Sequence, residues 1–138
     1  MLKYKANQMI VSKTPLRMSF AGGGSDISSF YLDEPGSVIS TTIDKYVNVC
    51  INPKFDDRIR LSYSKTEDVE DISQIEHPIV KEILLFYKVN HGIEIASLAD
   101  IPSKGTGLGS SSSFTVGLIN ALRFSLGETS TPNILAEQ

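Results

Sequence analysis

The sequence has few of the residues on which several common functions depend. Its 138 residues include one cysteine, Cys50, which excludes an internal disulfide and a cysteine-based zinc cluster. The net charge of -3 at pH 7 supplies no basic stripe for nucleic acid. No apolar stretch approaches the length of a membrane span. Cys50 lies in the strand-like run Val47–Ile51, where we interpret it as a small buried hydrophobe rather than a reactive thiol.

The N-terminal segment also lacks the pattern of a secretory signal. Residues 1–13 scatter lysines and amides among their apolar residues, so a cytoplasmic location is expected. Residues 1–11 are interpreted as a leader or a first strand, and residues 12–138 as one domain. The hydrophobic content of 41% and the charged content of 21% are ordinary for a globular domain.

Short patterned segments predict several strands. Leu16–Ala21 is a short apolar run, and Val38–Ile43 is rich in β-branched residues. Apolar and polar side chains alternate in Tyr46–Asn52, as expected of a half-buried strand. The same alternation in residues 59–63 predicts a hairpin partner for that strand. The acidic stretch Glu67–Asp71 is interpreted as a solvated loop.

Two longer helices and a further strand are predicted in the second half. Pro78 suits the first turn of a helix, and Gly92 is expected to end it. Gly92–Leu98 then returns to strand character. An apolar, well-buried helix is predicted from about Ser111 to Leu126, closed by Gly127.

The C-terminal residues predict the start of another helix. Thr131 offers a capping hydroxyl, and Pro132 suits the first helical position. The sequence reaches Gln138 with no stop signal, which indicates a chain cut inside a helix. We therefore expect an exposed, unfinished face through which the chain could self-associate.

The glycine–serine loop, residues 102–113, joins a predicted strand to a predicted helix. Its three glycines let the backbone approach a ligand closely. Its serines fall at the helix N-terminus, where unpaired amides and the helix dipole favour an anion such as a triphosphate. The spacing fits neither a Walker loop nor a dinucleotide fingerprint. The competing interpretation is a flexible linker followed by a serine-capped helix.

A second motif, Thr14–Asp26, is an apolar strand that runs into Gly22-Gly23-Gly24-Ser25-Asp26. The turn would present the carboxylate of Asp26, although such a residue often only closes its own turn. An arginine that can meet phosphate and a carboxylate that accepts from sugar hydroxyls are groups that a sugar kinase needs. Arg17 and Asp26 are the candidates for these roles.

Both motifs resemble those of the GHMP kinases. Pro102 with Gly107-Leu108-Gly109-Ser110-Ser111, displaced by one extra residue, resembles their ATP loop, and Arg17 lies nine residues before Asp26 as in their first motif. The run of serines and the three glycines are similar to the D-glycero-D-manno-heptose 7-phosphate kinase branch. The resemblance extends from about Ser12 to the last residue.

The resemblance implies an α+β fold, that of a ribosomal protein S5 domain 2-like N-terminal domain, with the family's C-terminal domain absent. It implies ATP as phosphoryl donor, Mg²⁺ as cofactor and the heptose 7-phosphate as acceptor, giving the 1,7-bisphosphate. Arg17 would be catalytic and Ser111 would ligate the metal. The ATP-binding residues would be Lys104, Gly105, Thr106, Gly107, Leu108, Gly109, Ser110, Ser111 and Ser112, and the substrate-binding residues Gly23, Gly24, Ser25 and Asp26.

In the family, the magnesium carboxylate and the acceptor-orienting Asp lie beyond the ATP loop, at positions with no match here. Asp44, Asp56, Asp57 and Asp100 are interpreted as turn, cap or surface residues. The 138 residues alone are therefore expected to be inactive. The alternatives are another sugar kinase of the family, of fucose or galactose type, and a non-catalytic nucleotide- or sugar-binding module.

The remaining candidates have simpler interpretations. His77 and His91 flank a helix and are expected to be solvated or capping rather than ligands or catalysts. Lys104 could touch a phosphate or lie exposed in its loop. Phe114 and Phe124 are interpreted as core residues rather than as a surface for base stacking.

Overall fold

A mixed sheet with helices is seen in the computed structural model, which describes residues 8–102 and 106–136. The strands are β1 (Ile10–Ala21), β2 (Ile39–Pro53), β3 (Ile59–Ser62), β4 (Thr66–Val69) and β5 (Ile93–Ala99). The helices are α1 (Ser28–Tyr31), α2 (Pro78–Phe86), α3 (Ser110–Ser125) and α4 (Pro132–Ala136), and a 3₁₀ turn covers Ile72–Gln74. The predicted α+β class is confirmed.

The sheet order is β1-β2-β5-β3-β4. All neighbouring pairs are antiparallel except β3 and β5, which are parallel. The two strands predicted at residues 38–43 and 46–52 form one strand, β2. The pairing of β1 with β2 shifts register between Pro15 and Arg17 of β1. The extra residues of β2 form a bulge at this point, so β2 continues without a break.

Two predictions about the middle of the chain are wrong. Residues 59–63 do not form a hairpin with Tyr46–Asn52, because β5 lies between β2 and β3. The stretch interpreted as a solvated loop begins within β4, which pairs with β3. Glu67 of β4 is only 6% exposed, and two hydrogen bonds to its carboxylate make this burial tolerable.

The helix starts are confirmed, and one helix end is not. α2 begins at Pro78, but it ends at Phe86 instead of continuing to Gly92. Lys88 adopts the left-handed backbone that ends such helices (φ 56°), and Val89 donates its amide to the carbonyl of Leu84. Pro132 begins α4 after Thr131, whose hydroxyl accepts the Ile134 amide at 3.4 Å.

The core lies between the sheet and the helices α2 and α3. Alternate residues of each central strand point into it, while α2 and α3 contribute their apolar faces. Its most buried large members are Leu16, Ile51, Ile59, Leu61, Leu84, Ile93, Leu118 and Leu122. Among the described helices, none is long and apolar enough to cross a membrane.

One hydrogen bond fixes the start of α3 against the first strand. Ser113 is buried, and its hydroxyl donates to the carbonyl of Pro15 at 3.0 Å. The packing of α3 on β1 and β2 therefore sets the position of the glycine–serine loop that precedes the helix.

Candidate functional site

The site begins at the N-terminus of α3. Gly107 and Gly109 both have left-handed backbones, with φ values of 66° and 72°, which side chains rarely adopt. Gly109 is the N-cap, its carbonyl accepts the Ser113 amide at 2.9 Å, and no side chain among the described residues caps the helix. The first amides of a helix have no intrahelical acceptor and carry the positive end of its dipole. This terminus can therefore receive an anion.

A cleft of about 590 Å³ opens beside this terminus, and we call it the α3 cleft. Ser110 and Ser111 line it, Ser112 is exposed, and Ser113 is instead buried against β1. The four serines thus divide into three near the open end of the helix and one structural anchor. Mg²⁺ prefers oxygen ligands. The exposed hydroxyl of Ser111, in the first turn of α3, is such a ligand, so the chemistry of this residue suits the metal.

The loop before Gly107 is described only in part. Lys104 and Gly105, both predicted to bind ATP, lie outside the described residues. Thr106 and Leu108 are half-buried, and the carbonyl of Leu108 accepts the amide of Arg17 at 3.3 Å. The described half of the loop is therefore attached to β1.

Arg17 is the residue of the first motif that reaches the glycine–serine loop. A Cβ atom built on Gly109 would lie 3.4 Å from Arg17 Cγ and 3.5 Å from its Cζ. The guanidinium also donates to the hydroxyl of Ser19 at 3.2 Å. The structure therefore brings together Arg17 and Gly109, which the sequence places in separate motifs.

The other residues of the first motif are held within their own loop. Asp26 Oδ1 accepts the amide of Gly24 at 3.0 Å, so this carboxylate closes its own turn, and it is exposed. The Ser25 hydroxyl accepts the Ser37 amide at 3.1 Å and lies 2.8 Å and 3.0 Å from the carbonyl oxygens of Gly22 and Ser37. Within the described part of the chain, a Cβ atom on Gly23 or Gly24 would meet nothing within 4 Å, so a ligand can approach the backbone there.

Sequence reasoning missed Gly36 in this loop. A Cβ atom built at this position would lie 2.0 Å from the carbonyl oxygen of Ser25, so only glycine fits there without a backbone shift. The approach of Ser25, eleven residues earlier in the chain, has no local signature in the sequence.

Three rings line the α3 cleft, and we call them the aromatic wall: Tyr63, His77 and Phe114. The ring centroids of Tyr63 and His77 are 4.8 Å apart in an edge-to-face arrangement, and those of His77 and Phe114 are 5.4 Å apart. Phe114 packs on the core, as predicted, but it is half-buried and also faces the cleft. The prediction for Phe124 is wrong, because its outward position on α3 leaves it 57% exposed.

The histidines have the simple roles expected of them. His77 is the N-cap of α2, and its Nδ1 accepts the Val80 amide at 3.4 Å. His91 is exposed, and its Nδ1 lies 3.4 Å from the carboxylate of Asp57. Cys50 is half-buried in β2, less buried than the interpretation as a core residue implied.

A hydrogen bond between Tyr63 and Glu67 lies behind the wall. The Tyr63 hydroxyl donates to Glu67 Oε1 at 2.6 Å, and this bond, reinforced by burial, raises the pKa of Tyr63 to about 12. Burial alone raises the pKa of Glu67, but the bonds from Tyr63 and from the Glu76 amide outweigh it, so the pKa lies below its usual value. Glu67 is therefore ionised, and Tyr63 neutral, at neutral pH.

Comparisons with known proteins agree with this architecture. Residues 77–137 match the family described as the GHMP kinases N terminal domain. The D-glycero-alpha-D-manno-heptose 7-phosphate kinase of Campylobacter jejuni is 33% identical over 86% of this chain and 40% of that protein. The chain thus spans less than half the length of this relative.

Solved structures share the fold. A D-glycero-D-manno-heptose 1-phosphate kinase from Bacteroides thetaiotaomicron superposes with a TM-score of 0.78 at 26% identity, covering 94% of this chain and 46% of that one. The mevalonate kinase of Methanococcus jannaschii, at 20% identity, gives a TM-score of 0.70 over 94% of this chain and 44% of that one. The chain thus resembles the GHMP kinases and has the fold of their N-terminal domain.

Proposed function

We propose that this chain is the nucleotide-binding domain of an ATP-dependent sugar kinase. The observation that carries the proposal is the N-terminus of α3, which no described side chain caps and which opens beside a cleft at Ser110 and Ser111. Anions bind at such termini because the first amides and the helix dipole both favour negative charge. The match of residues 77–137 to the GHMP kinases supports a triphosphate as this anion.

Each part of the site would meet a different part of the nucleotide. The amides of α3 and the hydroxyls of Ser110 and Ser112 would hold the phosphates, with the residues 104–109 around them. The hydroxyl of Ser111 would be one oxygen ligand of Mg²⁺, which also binds phosphate oxygens when present. Arg17, whose side chain lies against Gly109, would balance charge on the transferred phosphoryl group.

The proposed acceptor is D-glycero-D-manno-heptose 7-phosphate, phosphorylated at its anomeric hydroxyl to the 1,7-bisphosphate. The similarity to a kinase named for this sugar supports it, although another relative is named for the 1-phosphate. Gly23, Gly24, Ser25 and Asp26 would contact the sugar, with the exposed Asp26 carboxylate accepting from its hydroxyls. A fucose or galactose type of substrate is the alternative.

We further propose that the 138 residues bind nucleotide without transferring phosphate. Three of the four aspartates interpreted as turn, cap or surface residues, rather than as the family's magnesium ligand or acceptor-orienting Asp, have other partners. Asp100 accepts the Tyr46 amide at 2.8 Å, and Asp56 accepts the Arg58 amide at 3.1 Å. Asp57 lies beside His91.

Calorimetric titration with ATP and Mg²⁺, followed by coupled ATPase and sugar-phosphorylation assays, tests both proposals. We expect saturable, magnesium-dependent binding of ATP and no turnover with heptose 7-phosphate, fucose or galactose. Absence of nucleotide binding by the folded chain would overturn the first proposal. Robust magnesium-dependent turnover would overturn the second, and the preferred sugar would then identify the acceptor directly.

A further inference from the structure

The aromatic wall lies next to the serines at the end of α3. Tyr63 follows β3, His77 caps α2, and Phe114 is on the first turns of α3. All three are half-buried, so each ring still presents area to the α3 cleft. A cleft with aromatic rings beside an anion-binding helix end suits a ligand with a flat apolar group and a charged tail. Stacking of a nucleobase on such rings is worth about 1–3 kcal/mol per base.

Behind this wall lies a buried carboxylate with no part in the proposed phosphate chemistry. Glu67 is 6% exposed and does not line the cleft. Its two oxygens have separate partners: Oε1 accepts from the Tyr63 hydroxyl at 2.6 Å, and Oε2 accepts from the Glu76 amide at 2.7 Å. A buried carboxylate is retained only where such bonds compensate for its lost hydration.

These bonds join two segments of the chain. Tyr63 lies at the end of β3, while Glu76 directly precedes His77 at the start of α2. Glu67 therefore fixes the Tyr63 ring through its hydroxyl and fixes the backbone that carries His77. The His77 ring is held in turn by its bond to the Val80 amide.

We propose that Glu67 is a positioning residue for the nucleobase of the bound nucleotide, acting through Tyr63 and the segment that carries His77. The inference rests on the proposed nucleotide binding and deepens it, since it assigns the base to the aromatic wall. The inference distinguishes two kinds of ligand. Glu67 should affect the affinity for a ligand that has a nucleobase and should not affect the affinity for a polyphosphate without one.

The test compares ATP with inorganic tripolyphosphate, both with Mg²⁺, by calorimetric titration of the 138-residue chain. Glu67→Gln keeps the side chain's size but replaces charge-assisted hydrogen bonds with weaker neutral ones. We expect it to raise the Kd for ATP roughly fivefold or more while leaving that for tripolyphosphate unchanged. Tyr63→Phe, which keeps the ring and removes the anchored hydroxyl, should do the same. The double variant should bind ATP no more weakly than Glu67→Gln alone, because Tyr63→Phe removes a hydrogen bond that Glu67→Gln already weakens.

Asp68→Asn is the matched control. Asp68 is the next residue of β4, but it is exposed and pairs with Arg58 rather than with the wall, so ATP binding should not change. Equal losses for ATP and tripolyphosphate, unchanged ATP binding in both single variants, or additive effects in the double variant would overturn the inference. If the unaltered chain bound ATP no more tightly than tripolyphosphate, only the assignment of the base to the aromatic wall would fail. If it bound neither ligand, the proposed function itself would fail.

Discussion

The side chain of Arg17 lies against Gly109, so that a methyl group on Gly109 would be 3.4 Å from Arg17 Cγ. The amide of Arg17 also donates to the carbonyl of Leu108 at 3.3 Å. The first strand and the glycine–serine loop are thus one structural unit. In the proposed kinase, this contact places a guanidinium beside the phosphate-binding end of α3.

Gly109→Ala should weaken nucleotide binding. The left-handed backbone costs alanine about 1–2 kcal/mol, so the loop should shift, while the methyl group itself would make an ordinary contact with Arg17. Gly107→Ala should also weaken binding through backbone strain, since a Cβ atom there meets no atom of the described residues within 4 Å. Calorimetric titration with Mg·ATP measures both effects. A valine at either position would add crowding of the bound phosphates to the backbone strain.

Gly127→Ala is the control for these two variants. Gly127 lies at the other end of α3 with a φ of 85°, and none of the residues that the structure describes comes within 4 Å of its Cβ position. It should lower stability by a similar amount and leave nucleotide affinity unchanged. Equal losses of affinity in all three variants would mean that general strain, and not the loop, determines binding.

Ser111→Ala should reduce the magnesium dependence of ATP binding, because it removes the proposed oxygen ligand. The ratio of ATP affinities with and without Mg²⁺ is the measurement, and we expect it to fall several-fold toward one.

Ser113→Ala separates this effect from loss of stability. Its hydroxyl bonds to the carbonyl of Pro15, so its removal should cost about 1 kcal/mol of folding free energy and leave the magnesium ratio unchanged. A ratio that stays constant in Ser111→Ala would exclude this residue as a ligand.

Gly36→Ala should open the loop of the first motif. The new methyl group would lie 2.0 Å from the Ser25 carbonyl oxygen, and forcing such a contact typically costs about 1–3 kcal/mol. The Ser37 amide donates to Ser25 Oγ at 3.1 Å. Its hydrogen exchange should become faster by the factor that corresponds to this loss of free energy. Gly23→Ala, in the same loop but with no described atom within 4 Å of its Cβ position, should leave that exchange unchanged. Protection preserved in Gly36→Ala would contradict the geometry.

The Tyr63–Glu67 bond predicts a loss of stability at high pH. The pKa of Tyr63 is raised to about 12, above the value of about 10 in an unfolded chain. The hydrogen bond therefore contributes its full share to the free energy of unfolding below pH 10, and this share is lost as the pH rises toward 12. In Tyr63→Phe, urea unfolding between pH 8 and pH 11 should lose this part of the pH dependence. Identical pH profiles for the two proteins would contradict the assigned hydrogen bond.

At low pH the same pair acts through Glu67. The pKa of Glu67 is depressed in the folded chain. Its contribution to the free energy of unfolding is therefore present above the pKa of the unfolded chain and is lost as the pH falls through the pKa of the folded chain. Burial opposes the shift at Glu67 and reinforces it at Tyr63. The alkaline range is therefore the more sensitive test.

The sequence predicted those elements whose signals are local. Pro78 and Pro132 marked the starts of α2 and α4, and three glycines followed by serines marked the start of α3. β4 was missed because its inward residue is an acid, Glu67, whose partners come from other segments. The insertion of β5 between β2 and β3 is likewise a long-range pairing that no local pattern encodes.

The candidate site divides in the same way. The glycine–serine loop was predicted as an anion site because glycine and serine have local, well-understood roles at a helix start. The aromatic wall was not predicted, because Tyr63, His77 and Phe114 come from three elements and each has an ordinary explanation alone. Their meeting depends on the packing of α2 and α3 beside β3.

The central claim is that the first turn of α3 holds nucleotide phosphates, and amide NMR tests it most directly. On titration of the isotope-labelled chain with Mg·ATP, we predict saturable shifts concentrated at the amides of Gly109, Ser111 and Ser112. Tripolyphosphate should reproduce these shifts. A folded chain in which these amides stay unmoved at saturating ATP, or in which the shifts cluster elsewhere, would contradict the account.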